Sequence, residues 1–213
     1  GYQVQMTDFP QYGKSFFANM IEKYLKGKYG WPQELRYHLK KYPLLIENNS
    51  TSGNDKTEYL ESRPDEVNPY LTSLLYAGDR WEAKNQMHKW LDEGSVIISN
   101  RYVCSNMAHQ GAKISDVAER KLFFNWIEEL EHKVYAVPKA DLTIYLHVPI
   151  EISRELIKAR LRESEGLKSE MDVHEEDTGY LKRVQDTYIE LAASDSNWRT
   201  IECTENNQIR SKR

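Results

Sequence analysis

Short apolar runs separated by longer stretches of helical spacing set the pattern of this chain. Strand-like runs fall near Gln3–Thr7, Ser95–Ser99, Leu142–Val148 and Arg199–Cys203. Between them, Leu71, Leu74, Leu75, Gly78, Trp81, Met87, Trp90 and Leu91 keep helical spacing, and Gly94 comes next as a stop signal. Val117, Lys121, Phe124, Ile127, Glu128, Leu130 and Val134 mark a second amphipathic helix with charges on its rim. Strands alternating with helices predict an α/β fold with a parallel sheet and crossover helices.

The run Val96-Ile97-Ile98-Ser99 reads as a buried parallel strand, because β-branched residues fill both of its faces. It ends at Asn100-Arg101-Tyr102, and open α/β sheets bind ligands at the carboxyl ends of their strands. An arginine there suits a phosphate: its planar fork donates two hydrogen bonds at once and keeps its charge. The segment from Trp31 to Pro69 breaks the alternation. It is polar at Asn48-Asn49-Ser50-Thr51-Ser52-Gly53-Asn54-Asp55 and closed by Arg63-Pro64-Asp65. The pattern predicts a surface insertion around 31–69; a lid or partner surface beside the site is the second reading.

With 213 residues, one α/β domain with a substantial core is expected. A net charge of -4 argues against a nucleic-acid binder that relies on broad basic attraction. Cys104 and Cys203 stand far apart without metal-type spacing, which points to a reducing cytoplasm. No apolar run approaches the roughly 20 residues a membrane helix needs.

Five ordered segments resemble the thymidylate kinase family. Asp8-Phe9-Pro10-Gln11-Tyr12-Gly13 is similar to its F-P-x-Y-G loop after the second strand. Leu74-Leu75-Tyr76-Ala77-Gly78-Asp79-Arg80-Trp81-Glu82 resembles the helix with a base-stacking aromatic and a base-reading arginine. Asn100-Arg101-Tyr102 with Met107-Ala108-His109-Gln110-Gly111-Ala112-Lys113 is similar to the family's D-R-(Y/H) and S-x-x-A-x-x-G segment. Pro138-Lys139-Ala140-Asp141-Leu142 resembles its P-K-P-D-L strand entry, and Arg160 with Asp172-Val173-His174-Glu175 resembles its lid, around 160–175.

The resemblance implies a P-loop NTPase-like parallel sheet flanked by helices, in the nucleoside-monophosphate kinase variant. It implies phosphorylation of dTMP to dTDP with ATP and Mg, in a cytoplasmic homodimer. By the same resemblance, Tyr76 stacks on the base and Arg80 reads its carbonyl edge. Arg101 grips the acceptor phosphate. Phe9, Tyr12, Ser105, Asn106 and Gln110 line the acceptor pocket. Arg160 closes on the donor phosphates, and Asp8 with Asn100 serves the metal. The helical spacing of Tyr76 and Arg80 agrees, since residues four apart share a face.

Two departures and one gap qualify the picture. Asn100 replaces the usual Asp, keeping an oxygen but losing its charge. His109 stands where a tyrosine beside the sugar is common. The family's opening strand, glycine-rich phosphate loop and helix have no counterpart before Gly1-Tyr2-Gln3-Val4-Gln5-Met6, so the chain reads as N-terminally truncated and is expected to be inactive alone. Gly13-Lys14-Ser15 imitates the tail of such a loop. Asp8 and Pro10 inside it would repel an anion and remove a backbone N–H, so the imitation is not expected to bind phosphate. Two other readings stay open: a related kinase acting on another nucleoside or monophosphate, and a nucleotide-binding or interaction protein derived from a kinase.

Overall fold

The computed structural model describes residues 1–25, 67–163, 177–206 and 208–211. The predicted insertion therefore lies almost wholly outside the described residues, as do the lid residues Asp172 and Glu175. All four predicted strands are present. Strand β1 (Val4–Asp8) pairs in parallel with β2 (Val96–Asn100), in a register that sets Asp8 opposite Asn100. Strand β3 (Thr143–His147) pairs in parallel with β4 (Trp198–Glu202). A short antiparallel hairpin, β5 (Thr204–Glu205) with β6 (Gln208–Ile209), comes after β4.

The prediction of one sheet with β2 buried on both faces needs correction. The strands form two separate parallel pairs. On β1 and β2 the register partners Val4 and Val96, then Met6 and Ile98, are exposed on one face, Met6 at 77% and Ile98 at 52%. On β3 and β4, Ile144, Leu146 and Ile201 are likewise exposed. The apolar composition of these faces is that of interior strands; among the described residues nothing covers them.

Helix α1 (Phe16–Leu25) and helix α2 (Pro69–Asp92) lie between β1 and β2 in sequence. The Asn68 side chain caps α2 by accepting from Tyr70 N at 2.9 Å, Pro69 supplies a preset first turn, and Gly94 ends the segment at φ 77°. The two helices touch where Gly78 faces Phe17: a Cβ on Gly78 would lie 2.7 Å from the ring. Glu82 accepts from Phe16 N and Phe17 N, placing a carboxylate at the positive end of α1.

Helix α2 buries only part of the stripe its apolar spacing marks. Leu74, Trp81 and Leu91 are exposed, while Thr72, Ser73, Asp79 and Arg80 are buried beside Leu75, Ala77, Gly78 and Met87. Polar residues turned inward on a helix require partners there. Helix α3 (Val103–Gly111) and helix α4 (Val117–Glu128) build the main core, from Val103, Met107, Ala108, Phe123, Phe124 and Ile127, with Leu191 and the ring of Tyr70 packed on them. Gly111 lets the two approach, since a Cβ there would meet Phe124 at 2.5 Å.

The second predicted helix runs on past α4, but its last turn is a π-helix, Glu129–Val134. Tyr135 N accordingly bonds Leu130 O at 2.8 Å, five residues back. The wider turn shifts the helix phase. Val134, expected inside, is exposed, and Glu131 is fully buried. Helix α5 (Ile150–Glu163) carries Arg160 and Arg162 in its last turn, and helix α6 (Thr178–Ser194) returns across the core to β4.

Candidate functional site

The carboxyl ends of β1 and β2 bring Asp8, Asn100 and Arg101 together. Asp8 and Asn100 are exposed register partners, and Phe9 N continues the ladder to Asn100 O at 3.1 Å. Arg101 leaves the strand with φ 61°, a left-handed backbone that a residue with a Cβ adopts at a cost. Ser99 Oγ donates to its carbonyl at 2.5 Å and holds that bend. The Arg101 side chain is exposed and makes no ion pair among the described residues. Asp8 and Asn100 together offer one carboxylate and one amide oxygen. That set suits Mg²⁺ held mostly by water and phosphate oxygens, the usual habit of this ion at phosphate sites.

Behind the strand ends, α2, α3 and the π-turn enclose a polar cluster. Arg80 donates through Nε and Nη2 to the two oxygens of Glu131, each at 2.5 Å, and both residues are almost fully buried. Burial by itself would lower the Arg80 pKa, but the Glu131 carboxylate reverses this and the guanidinium is held above its ordinary value. Asn106 Nδ2 donates to Ser73 O at 3.2 Å and Glu131 Oε1 at 3.3 Å. Among the described residues, Asn106 Oδ1 and both amide atoms of Gln110 are buried without a hydrogen-bond partner. Orphaned buried amides of this kind are costly and rare, and they fit a polar ligand that would complete them.

The loop from Phe9 to Ser15 is tied to α2 by Asp79. Its carboxylate accepts from Gln11 N at 2.9 Å and from the Ser15 hydroxyl. Burial pushes the Asp79 carboxyl up, against those two hydrogen bonds and the Arg80 charge. Ser15 Oγ also accepts from Ala18 N at 2.8 Å, capping α1. The Gly13-Lys14-Ser15 segment is thus a turn and a helix cap.

Other predicted residues fall at different depths. Phe9 is buried beneath Arg80, its ring centroid 6.0 Å from the guanidinium and 5.8 Å from that of Tyr102. It packs there among Met87 and Val137. Tyr12 is exposed on the loop, and Tyr76 is half-buried one turn before Arg80. Ser105 Oγ lies 2.6 Å from Tyr188 OH. Burial pushes the Tyr188 phenol up to about 12. His109 O accepts from Tyr180 OH at 2.8 Å, and the His109 ring meets Tyr188 edge-on. The side chain of Arg160 lies outside the described residues.

Sequence reasoning missed Glu131 and Asp79. Asp79 sits beside Arg80 in the helix motif yet carries no apolar signal. Glu131 stands four residues after Ile127 and seven after Phe124, on the buried face of the helix, but a carboxylate there carries no apolar signal. The one available cue was its spacing of four from Ile127 on the apolar stripe.

These features define an α/β protein in which the carboxyl ends of two parallel strands carry Asp8, Asn100 and Arg101, and a buried arginine–carboxylate pair joins the helices. The model of one family, described as thymidylate kinase, matches residues 11–212. The chain belongs to the thymidylate kinase family. A probable thymidylate kinase of Pyrobaculum aerophilum is 33% identical over 130 residues, 61% of this chain and 58% of that protein. A thymidylate kinase of Mycobacterium tuberculosis is 25% identical over 193 residues, 91% of this chain and 73% of that protein. The match thus spans less than two thirds of the Pyrobaculum protein's length. The thymidylate kinase structure from Candida albicans superposes with a TM-score of 0.53 at 19% identity, covering 93% of this chain and 71% of that one, a likeness of fold. Among the described residues no helix is long and apolar enough to cross a membrane.

Proposed function

We propose that the complete protein transfers the γ-phosphoryl group of ATP to dTMP, giving dTDP and ADP. The observation that carries this reading is the buried set of Arg80, Asn106 and Gln110, with unpaired amide atoms, next to the exposed Arg101 at the strand ends. A pyrimidine would complete the buried polar atoms while its 5′-phosphate meets the Arg101 fork. Family membership supports the same substrate pair.

In the proposed reaction an oxygen of the dTMP phosphate forms a bond to the γ-phosphorus as the bond to the β–γ bridging oxygen breaks. Such a transfer needs alignment, exclusion of water and positive charge more than covalent help. Arg101 aligns the acceptor phosphate. Tyr76 and Tyr12 enclose the base and sugar, Ser105 and Gln110 hold the nucleoside, and Arg160 brings charge to the donor. Bound Mg²⁺ would neutralise charge on the donor phosphates, with Asp8 and Asn100 ordering its water. A homodimer through the helices beside the acceptor pocket belongs to this reading.

The exposed apolar faces of the two strand pairs support one further part of it. A strand outside the described residues, carrying the donor-phosphate loop, would sit between the pairs and cover Ile98 and Ile144. Residues 1–213 alone would then transfer phosphate poorly.

The test is ATP-dependent transfer to dTMP, dUMP, dCMP and dGMP by the complete protein and by residues 1–213. Preference for dTMP by the complete protein is expected. Binding of dTMP without turnover would favour a binding protein, a reading that Asn100 in place of a carboxylate specifically supports.

A further inference from the structure

We infer that Glu131, which need not touch the substrate, sets the base selectivity of the acceptor pocket by fixing which atoms Arg80 and Asn106 present. This rests on the proposal that the base lies against those two residues. Asn106 Nδ2 has two acceptors, Ser73 O at 3.2 Å and Glu131 Oε1 at 3.3 Å. A carbonyl and a carboxylate can only accept, so the amide must turn its nitrogen to both. Its Oδ1 is thereby aimed away, and it is buried with no hydrogen-bond partner. The same Oε1 receives Arg80 Nη2, and Oε2 receives Nε. Of the three guanidinium nitrogens only Nη1 is left uncommitted by this bidentate pair.

Between them, Arg80 and Asn106 therefore leave one donor, Nη1, and one acceptor, Oδ1. A 4-oxo pyrimidine presents the complement, with an accepting O4 beside a donating N3–H. Cytosine presents the reverse, a donating N4 amine beside an accepting N3, and would mismatch both atoms. Glu131 imposes this order on both partners at once.

The carboxylate is itself held firmly. The π-turn that contains it is anchored at its end to α2, where Lys84 Nζ donates to Tyr135 O at 2.9 Å and His88 Nε2 lies 2.8 Å from Ala136 O. A simple staple between α2 and the π-turn would not need a buried ion pair, because apolar replacements of such pairs are commonly neutral or stabilising. It would also not need the third bond to Asn106.

The test is Glu131→Gln in the complete protein, read by steady-state kinetics on dTMP, dUMP and dCMP. A glutamine offers a donor as well as an acceptor, so it no longer dictates the Asn106 orientation. KM for dTMP should rise ~10-fold or more with kcat little changed, and the preference for dTMP over dCMP should narrow by ~10-fold, the span expected when a buried polar match is lost. Glu131→Asp should restore part of the preference. Loss of thermal stability with the preference intact would overturn the inference. Asn106→Leu separates the two ideas. If it leaves KM for dTMP unchanged, the base does not lie here and the underlying reading fails. If it raises KM while Glu131→Gln leaves selectivity alone, only the role of Glu131 fails. Should Glu131→Gln not fold, the dTMP complex of the unmodified protein decides: Glu131 still bridging Arg80 and Asn106 is expected, and a base facing the Asn106 nitrogen overturns the inference.

Discussion

Arg101 combines a charge suited to phosphate with a backbone that resists it. At φ 61° a side chain with a Cβ costs of order 1 kcal/mol relative to glycine. The Ser99 hydroxyl on its carbonyl is the local compensation. Stability and activity should therefore part company at this residue. Arg101→Gly is expected to raise the melting temperature by a few degrees, as a gain of about 1 kcal/mol would. The same change should raise KM for dTMP by ~10-fold to ~100-fold, since a charged hydrogen bond contributes about 1.5–3 kcal/mol. Calorimetry and kinetics on one preparation check both. Asp79 makes a pH prediction. Its carboxyl is raised above the ordinary 3.8 by burial. The folded form thus holds its proton more tightly than the unfolded form, and this contribution is full below the unfolded pKa and lost as pH rises through the folded one. Urea unfolding from about pH 4 to pH 7 should show the unmodified protein losing stability relative to Asp79→Asn as pH rises. A flat difference would mean that the bonds from Ser15 and Gln11 keep the carboxylate charged throughout.

Helix α2 shows how an element can be legible in place yet misread in orientation. Its stop was visible in Gly94, but Leu74, Trp81 and Leu91 belonged to a marked apolar stripe and the fold leaves them exposed. The buried face is half polar because Ser73, Asp79 and Arg80 serve Asn106, the Phe9–Ser15 loop and Glu131, and single-sequence periodicity gives weight only to apolar residues. The four strands were readable because short β-branched runs carry their own signal. Which faces they bury depends on neighbours far away in sequence. The π-turn was invisible for a related reason: one extra residue per turn rotates Val134 outward without changing composition. The strand-end residues Asp8, Asn100 and Arg101 were legible from position alone. The contact of α2 with α1 gives this element its prediction. Gly78→Ala gains up to about 1 kcal/mol of helix propensity. Against this, its Cβ would stand 2.7 Å from the Phe17 ring, and overpacking costs typically about 1–3 kcal/mol. Overpacking should win, lowering the melting temperature by several degrees. Because α1 carries the end of the Phe9–Ser15 loop, KM for dTMP should rise with it. An unchanged melting temperature would show that Phe17 moves aside freely.

The molecule holds two pairs of parallel strands whose apolar faces belong, by composition, to an interior. Val4, Met6, Val96 and Ile98 form one contiguous exposed patch that leads directly to Asp8 and Asn100, so the uncovered face and the proposed metal-ordering pair share one surface. Ile144, Leu146 and Ile201 form its counterpart on the second pair. Exposed strand edges with apolar faces promote association between chains. Residues 1–213 alone should therefore self-associate, and lysines at Ile98 and Ile144 should suppress this, because charge on an open strand is an effective guard against pairing. In the complete protein the same two lysines should have the opposite effect. A strand lying between the pairs would bury them, and an ammonium without a partner in an apolar interior costs several kcal/mol. Sedimentation velocity on the short chain and thermal unfolding of the complete protein, each with and without Ile98→Lys and Ile144→Lys, measure the two effects. A gain in solubility of the short chain together with a loss of folding in the complete one fits a sheet completed by a further strand. If the complete protein tolerates both lysines, these faces are true surface, and the donor phosphates must be held by residues elsewhere in the fold.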